Sequence, residues 1–148
     1  VEEQPRKAKS VCSVNNIHTS GIFSFHEKNS KIITASKDGS VGLSTLIGTN
    51  IVHTKTFSDL HDGVVKCARF RESDENVFAS CGNDISIKII DTRSKDKAIS
   101  IDNMHDTVIN SVAWSPSDEN SLLSAGFDKK IQLYDIRKPA KPVFTLTG

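Results

Sequence analysis

Apolar and polar positions change over along this chain in short bursts. Apolar or β-branched segments run from Ile22 to Phe25, Lys31 to Ser36, Ser40 to Thr45 and Ile51 to Phe57, then from Val64 to Phe70, Val77 to Cys81, Ser86 to Ile90 and Ala98 to Ile101. A third set follows at Val108 to Trp114, Ser121 to Ala125, Lys130 to Tyr134 and Pro142 to Leu146. Between them lie EKN, KDG, IGTN, RESDEN, GND and TRSKDK, which is turn chemistry, with Asp38-Gly39 the strongest hairpin signal. No longer stretch carries the 3.6-residue period of an amphipathic helix. Segments such as SLLSAG are apolar at consecutive positions, as in a strand covered on both faces, whereas ISIKII and IQLYD alternate. The pattern predicts an all-β chain of sheets packed face to face.

The strands recur with a fixed period. NVFASCGNDISIKIIDTR, starting at Asn76, and NSLLSAGFDKKIQLYDIR, starting at Asn120, align at an offset of 44 residues: Ser80 with Ser124, Asp84 with Asp128, Asp91 with Asp135 and Arg93 with Arg137. A period of about 40–45 residues marks a propeller or solenoid, and the missing helical periodicity disfavours a helical repeat. Three units follow, at about residues 18–60, 61–104 and 105–148. Residues 1–10, charged and without period, read as a linker or disordered end, and residues 11–17 as a strand belonging to a preceding element.

These residues resemble the WD40-repeat family, over nearly the whole chain from Ile17. In that family a His follows an outer strand, a Ser or Thr lies on the second strand, an Asp in the next turn, and a Trp-Asp pair ends the third strand. The matching sets are His61, Ser80, Asp84 with Ile90-Asp91, and His105, Ser124, Asp128 with Tyr134-Asp135. Tyr134 replaces the Trp, and its hydroxyl is expected to stand in for the indole donor. The first unit is degenerate. Thr34 and Asp38 keep their spacing, but His18 lies only 20 residues before Asp38 where His61 and His105 precede their Asp by 23, so His18 is not expected to join the network. The resemblance implies four-stranded antiparallel blades of a β-propeller. Propellers close with about 4–8 blades, so three blades are expected to be part of a larger, incomplete ring, and the end at Gly148 fits truncation. In isolation the outer blades would expose apolar faces and self-associate.

Composition narrows the chemistry. Lys plus Arg number 19 against 18 acidic residues, leaving a net charge of +1 and no global pull toward nucleic acid or an anionic membrane. Cys12, Cys67 and Cys81 lack metal-type spacing and read as small reduced core residues, which favours the cytoplasm or nucleus. No apolar run is long enough for a membrane helix. The His, Ser and Asp trio invites a hydrolase reading, but it recurs once per unit, as a structural staple does, while catalysis needs one constellation in a pocket. No P-loop, G-x-S-x-G or H-E-x-x-H is present, and the histidines are too scattered for a metal site. The expectation is a protein that is not an enzyme and uses no cofactor.

Function is therefore sought on the rims, as a scaffold that binds other proteins or peptides. Lys37, Asn83 and Phe127, just before each turn Asp, are placed on the upper rim with Asp62, Asp106 and Thr107. Phe127 is the best anchor, because a rigid aromatic gives contact area at low entropic cost. Asp91 with Arg93 and Asp135 with Arg137 are placed on the lower rim. Tandem boxes of this form resemble those of WD40 substrate receptors of cullin-type ubiquitin ligases, where the Arg meets the ligase adaptor; an adaptor is the alternative partner.

Overall fold

The structure, a computed structural model, describes residues 12–94 and 98–148. It consists of three four-stranded antiparallel sheets, each built from consecutive strands. The first sheet holds β1 (Ile22–Lys28), β2 (Lys31–Ser36), β3 (Val41–Ile47) and β4 (Asn50–Phe57). In the second, β5 (Val65–Arg71), β6 (Asp74–Gly82), β7 (Ser86–Asp91) and β8 (Ile99–Asp102) follow the same order. The third contains β9 (Ile109–Trp114), β10 (Ser121–Gly126), β11 (Lys130–Asp135) and β12 (Phe144–Thr147). The proposed linker at residues 1–10 falls outside the described residues. The strand expected over residues 11–17 is corrected: residues 12–17 carry no strand, and Ile17 instead lies with His18 over the first sheet, closing on Gly42.

Two separators are shorter than the sequence pattern suggests. Asn29 and Ser30 have φ of 48° and 66°, the paired left-handed geometry of a two-residue hairpin, so Glu27 and Lys28 continue β1. Within RESDEN only Glu72 and Ser73 turn, because Arg71 already pairs with Asp74. The polar run Asp74 to Asn76 extends β6, held by the Asp74 carboxylate on the Asn76 N–H (2.9 Å) and by the Lys31 ammonium on Asn76 Oδ1 (2.6 Å) from the neighbouring sheet.

One apolar core fills each boundary between blades. Ile33, Ala35, Val41 and Leu43 of the first blade meet Val65, Ala68, Phe70, Phe78 and Ile90 of the second. The second blade turns Cys67, Ala79, Cys81, Ile87 and Ile89 to Ile109, Val112, Trp114, Leu122 and Tyr134 of the third. The middle sheet is thus covered on both faces, which explains its consecutive apolar positions. In the third blade Leu123 and Ile131 occupy the positions of Ala79 and Ile87, yet are 39% and 43% exposed. Phe25 on the first blade is likewise exposed.

β1, β5 and β9 are the inner strands, touching one another across the boundaries. Their edges are stitched by side chains. The Ala68 N–H donates to Ser24 Oγ (3.2 Å) and the Phe70 N–H to His26 Nδ1 (3.1 Å), while Trp114 Nε1 donates to the Arg69 carbonyl (3.1 Å). Capping otherwise unpaired strand groups in this way hides an edge that would template pairing with another chain.

Candidate protein-binding rims

The three blades carry three versions of one internal staple. In the second, His61 Nδ1 donates to the Asp84 carboxylate at 3.0 Å and Nε2 accepts from the Ser80 hydroxyl at 2.7 Å. In the third, His105 repeats this with Asp128 (2.9 Å) and Ser124 (2.6 Å). A neutral ring with a carboxylate on one nitrogen and a hydroxyl on the other has its tautomer fixed. Each carboxylate also takes backbone donors, Asp84 from Asp62 and Ser86, and Asp128 from Asp106 and Lys130. Burial pushes the Asp84 carboxyl up, but hydrogen bonds from His61 and Ser86 outweigh it and hold it at about 2.

His18 corrects the expectation drawn from its spacing. Its Nε2 lies 2.7 Å from Thr34 Oγ1 and its Nδ1 2.8 Å from Ser40 Oγ, and that hydroxyl donates to Asp38 Oδ1 at 2.6 Å. The three missing residues come out of the hairpin at the opposite end: Phe25 pairs with Thr34 whereas Ala68 pairs with Ser80, so only the β1–β2 tip is short. Burial raises the Asp38 carboxyl, yet hydrogen bonds from the Ser40 hydroxyl and the Thr19 and Ser40 amides hold it well below the usual carboxylate range. Ser40 and Ser86, two residues after the turn Asp, belong to the staples and were missed in the sequence, where Asp-x-Ser was the available signal.

Tyr134 lies beside the third staple, with its hydroxyl close to Ser124. It is fully buried, and its hydroxyl donates to Gln132 Oε1, while Gln132 Nε2 donates to the Met104 carbonyl at 2.7 Å. The relay ties β11 to the residue before His105. Burial raises the Tyr134 phenol, with the Ser124 hydroxyl opposing.

The turns above the staples are rigid and equivalent. The N–H groups of Lys37, Asn83 and Phe127 donate to the carbonyls of Gly21, Val64 and Val108, at 2.8, 2.9 and 3.1 Å. All three side chains are exposed, Phe127 at 66%. Asp62 and Asp106 are exposed beside them, Thr107 is half-buried, and Asp106 pairs with Lys130 at 2.6 Å.

At the opposite end of the third strands, Arg93 and Arg137 close on their own carboxylates. Arg93 donates from Nε and Nη2 to Asp91 (2.9 and 2.7 Å) and from Nη2 to Asp74 (2.7 Å); Arg137 repeats the fork on Asp135 at 2.8 and 2.6 Å. The Arg partners hold Asp91 and Asp135 at about 2. Both guanidinium side chains stay more than half exposed.

A groove of about 640 Å³ lies between the first two blades, lined by Phe57, Leu60, Ile90, Ala98, Lys55 and Lys88 among others. Ile90 in its lining holds the position that Tyr134 fills at the next boundary. Among the described residues no cluster of His, Cys, Asp and Glu is arranged to hold a metal ion.

Comparison with known proteins agrees with this geometry. Residues 97–135 match the profile of the family described as WD domain, G-beta repeat. The solved WD40 beta propeller domain of Doa1 superposes with a TM-score of 0.71 at 22% identity, a likeness of fold. It covers 88% of this chain and 41% of that one, so the chain spans less than half of that domain. No curated protein matches the sequence.

Proposed function

From the premise that the chain is built of WD40 repeats, three of whose blades it forms, we propose that it is a non-catalytic scaffold binding other proteins or peptides on its upper rim. One observation carries this reading: Phe127 stands 66% exposed on a turn whose backbone is pinned to Val108, with Lys37 and Asn83 on the equivalent turns of the two preceding blades. An exposed aromatic whose backbone is already ordered loses little entropy when a partner covers it. The recurrence of a His, a second-strand hydroxyl and an Asp in every blade, with each ring buried under its own turn, supports a structural and not a catalytic use.

Proximity labelling of the full-length protein tests it. Phe127→Ala should lower recovery of the main partners at least tenfold with the melting temperature unchanged. Equal recovery would remove Phe127 from the interface, and a large loss of melting temperature would show it to be core.

The lower rim supports a narrower reading, a substrate receptor of a cullin-type ubiquitin ligase. Asp91 with Arg93 and Asp135 with Arg137 repeat one fork geometry in consecutive blades, with both Arg side chains more than half exposed. Recovery of an adaptor that falls in Arg93→Ala plus Arg137→Ala is the expected result; unchanged recovery would sink this reading alone.

A further inference from the structure

Cys67 on β5 and Cys81 on β6 are direct cross-strand partners, both buried and both free thiols. The same pair of positions is filled by Ser24 and Ala35 in the first blade and by Ser111 and Ala125 in the third. Packing at this place in a blade is therefore met by Ser with Ala, and the second blade alone puts two sulfurs there. We propose that Cys67 and Cys81 form a reversible disulfide, a modification site whose oxidant is a low-molecular-weight disulfide.

The geometry both permits the bond and limits it. Directly opposed residues of an antiparallel pair have Cα atoms about 4.5–5.5 Å apart, inside the range of about 4.4–6.8 Å found across disulfides. Their Cβ atoms, about 4.5–5.5 Å apart, sit at or beyond the upper end of the disulfide range of about 3.5–4.5 Å. The strands must draw together, and a strained bond of this kind is more easily reduced than a structural one. The register break between Val65 and Cys67 supplies slack on the β5 side. The two thiols also influence each other: the neighbouring Cys81 lowers Cys67, while Cys67 and burial raise Cys81, and the Cys67 thiol also faces the Val112 carbonyl at 3.9 Å. Cys67, on the strand that carries the slack, is the attacking sulfur, and Cys81, fully buried, the resolving one.

The exchange balances in two steps. The Cys67 thiolate attacks one sulfur of the small disulfide, whose S–S bond breaks and releases one small thiolate. Cys81 gives up its proton to that thiolate and attacks Cys67 Sγ, expelling the second. Two electrons pass from the protein pair to the oxidant, the second thiolate takes up the proton that Cys67 released on ionising, and two small thiols leave. Because both sulfurs are buried, the first step follows a local opening of β5.

The test equilibrates the full chain in buffers of reduced and oxidised glutathione, traps thiols with N-ethylmaleimide and digests with trypsin. Oxidised buffer should cut the alkylated cysteines from three to one and link the Cys67–Arg69 peptide to the Glu72–Lys88 peptide. Cys12→Ser should keep the link and Cys81→Ala should leave glutathione on residue 67. The double variant Cys67→Ser with Cys81→Ala, which reproduces its neighbours, should melt within a few degrees of the parent and lose the response. Full alkylation at every ratio, a persistent glutathione adduct on Cys67 in the parent, or a bridge to Cys12 would each overturn the proposal.

Discussion

At Ile85 the backbone turns through φ +59°, a left-handed conformation that a β-branched side chain resists. The same point in the first blade is Gly39, at φ +85°, and in the third it is Lys129, at +63°. Such a conformation costs a non-glycine residue about 1–2 kcal/mol, more than the ~0.5–1 kcal/mol of chain entropy that glycine adds. Ile85→Gly is expected to raise stability by up to about 1 kcal/mol, read from chemical denaturation midpoints. Asp128→Ala should act the other way. It strips a buried imidazole and two backbone N–H groups of their acceptor, at a cost of about 2–3 kcal/mol. A loss below ~0.5 kcal/mol would mean that water replaces the carboxylate. At this scale the sequence was readable wherever spacing along one strand sets the contact, as with Ser124 and Asp128. It was unreadable where two hairpins of different length reach the same place, as with His18, or where a side chain finds a neighbour two residues along its own strand, as Tyr134 finds Gln132.

The strands themselves show through the apolar pattern, but their ends do not. β6 runs on through Asp74, Glu75 and Asn76, whose polarity reads as a loop and which Lys31 and Arg93 stabilise from elsewhere. The groove beside Ile90 has the same character, since its walls come from two different sheets and no local pattern reports it. The inner strands yield a pH prediction. His26 accepts from the Phe70 N–H and must be unprotonated at Nδ1 to do so. Burial, then Arg69 and Lys28, lower it from its ordinary 6.5, with Glu72 and Glu27 opposing; His18 is lowered chiefly by burial, against Asp38. The folded state therefore binds fewer protons than the unfolded chain, so this contribution is complete above pH 6.5 and diminishes as the pH falls below it. Stability should drop between pH 7.5 and 5.5, and His26→Asn should flatten part of that slope; equal slopes in the two proteins would refute it.

For the whole molecule, the outer blades decide behaviour in solution. Leu123 and Ile131 present to solvent the face that Ala79 and Ile87 bury at the previous boundary, and Phe25 stands exposed on the first blade. We expect the 148-residue chain in isolation to self-associate through these faces, giving a mass in sedimentation that rises with concentration. Leu123→Glu with Ile131→Glu should return it to a monomer with its melting transition retained. A concentration-independent monomer in the parent would contradict the expectation.

The bonds that stitch the inner strands all join residues separated by nearly the same length of chain: Ser24 to Ala68, His26 to Phe70, Arg69 to Trp114. Since the entropy of closing a loop grows only with the logarithm of its length, both blade boundaries present the same closure cost to the folding chain. Neither has a kinetic head start from topology. Hairpins form first from near neighbours, and which boundary docks earlier is left to the apolar area each one hides, so assembly can begin at either end of the chain and the middle blade takes part in both routes.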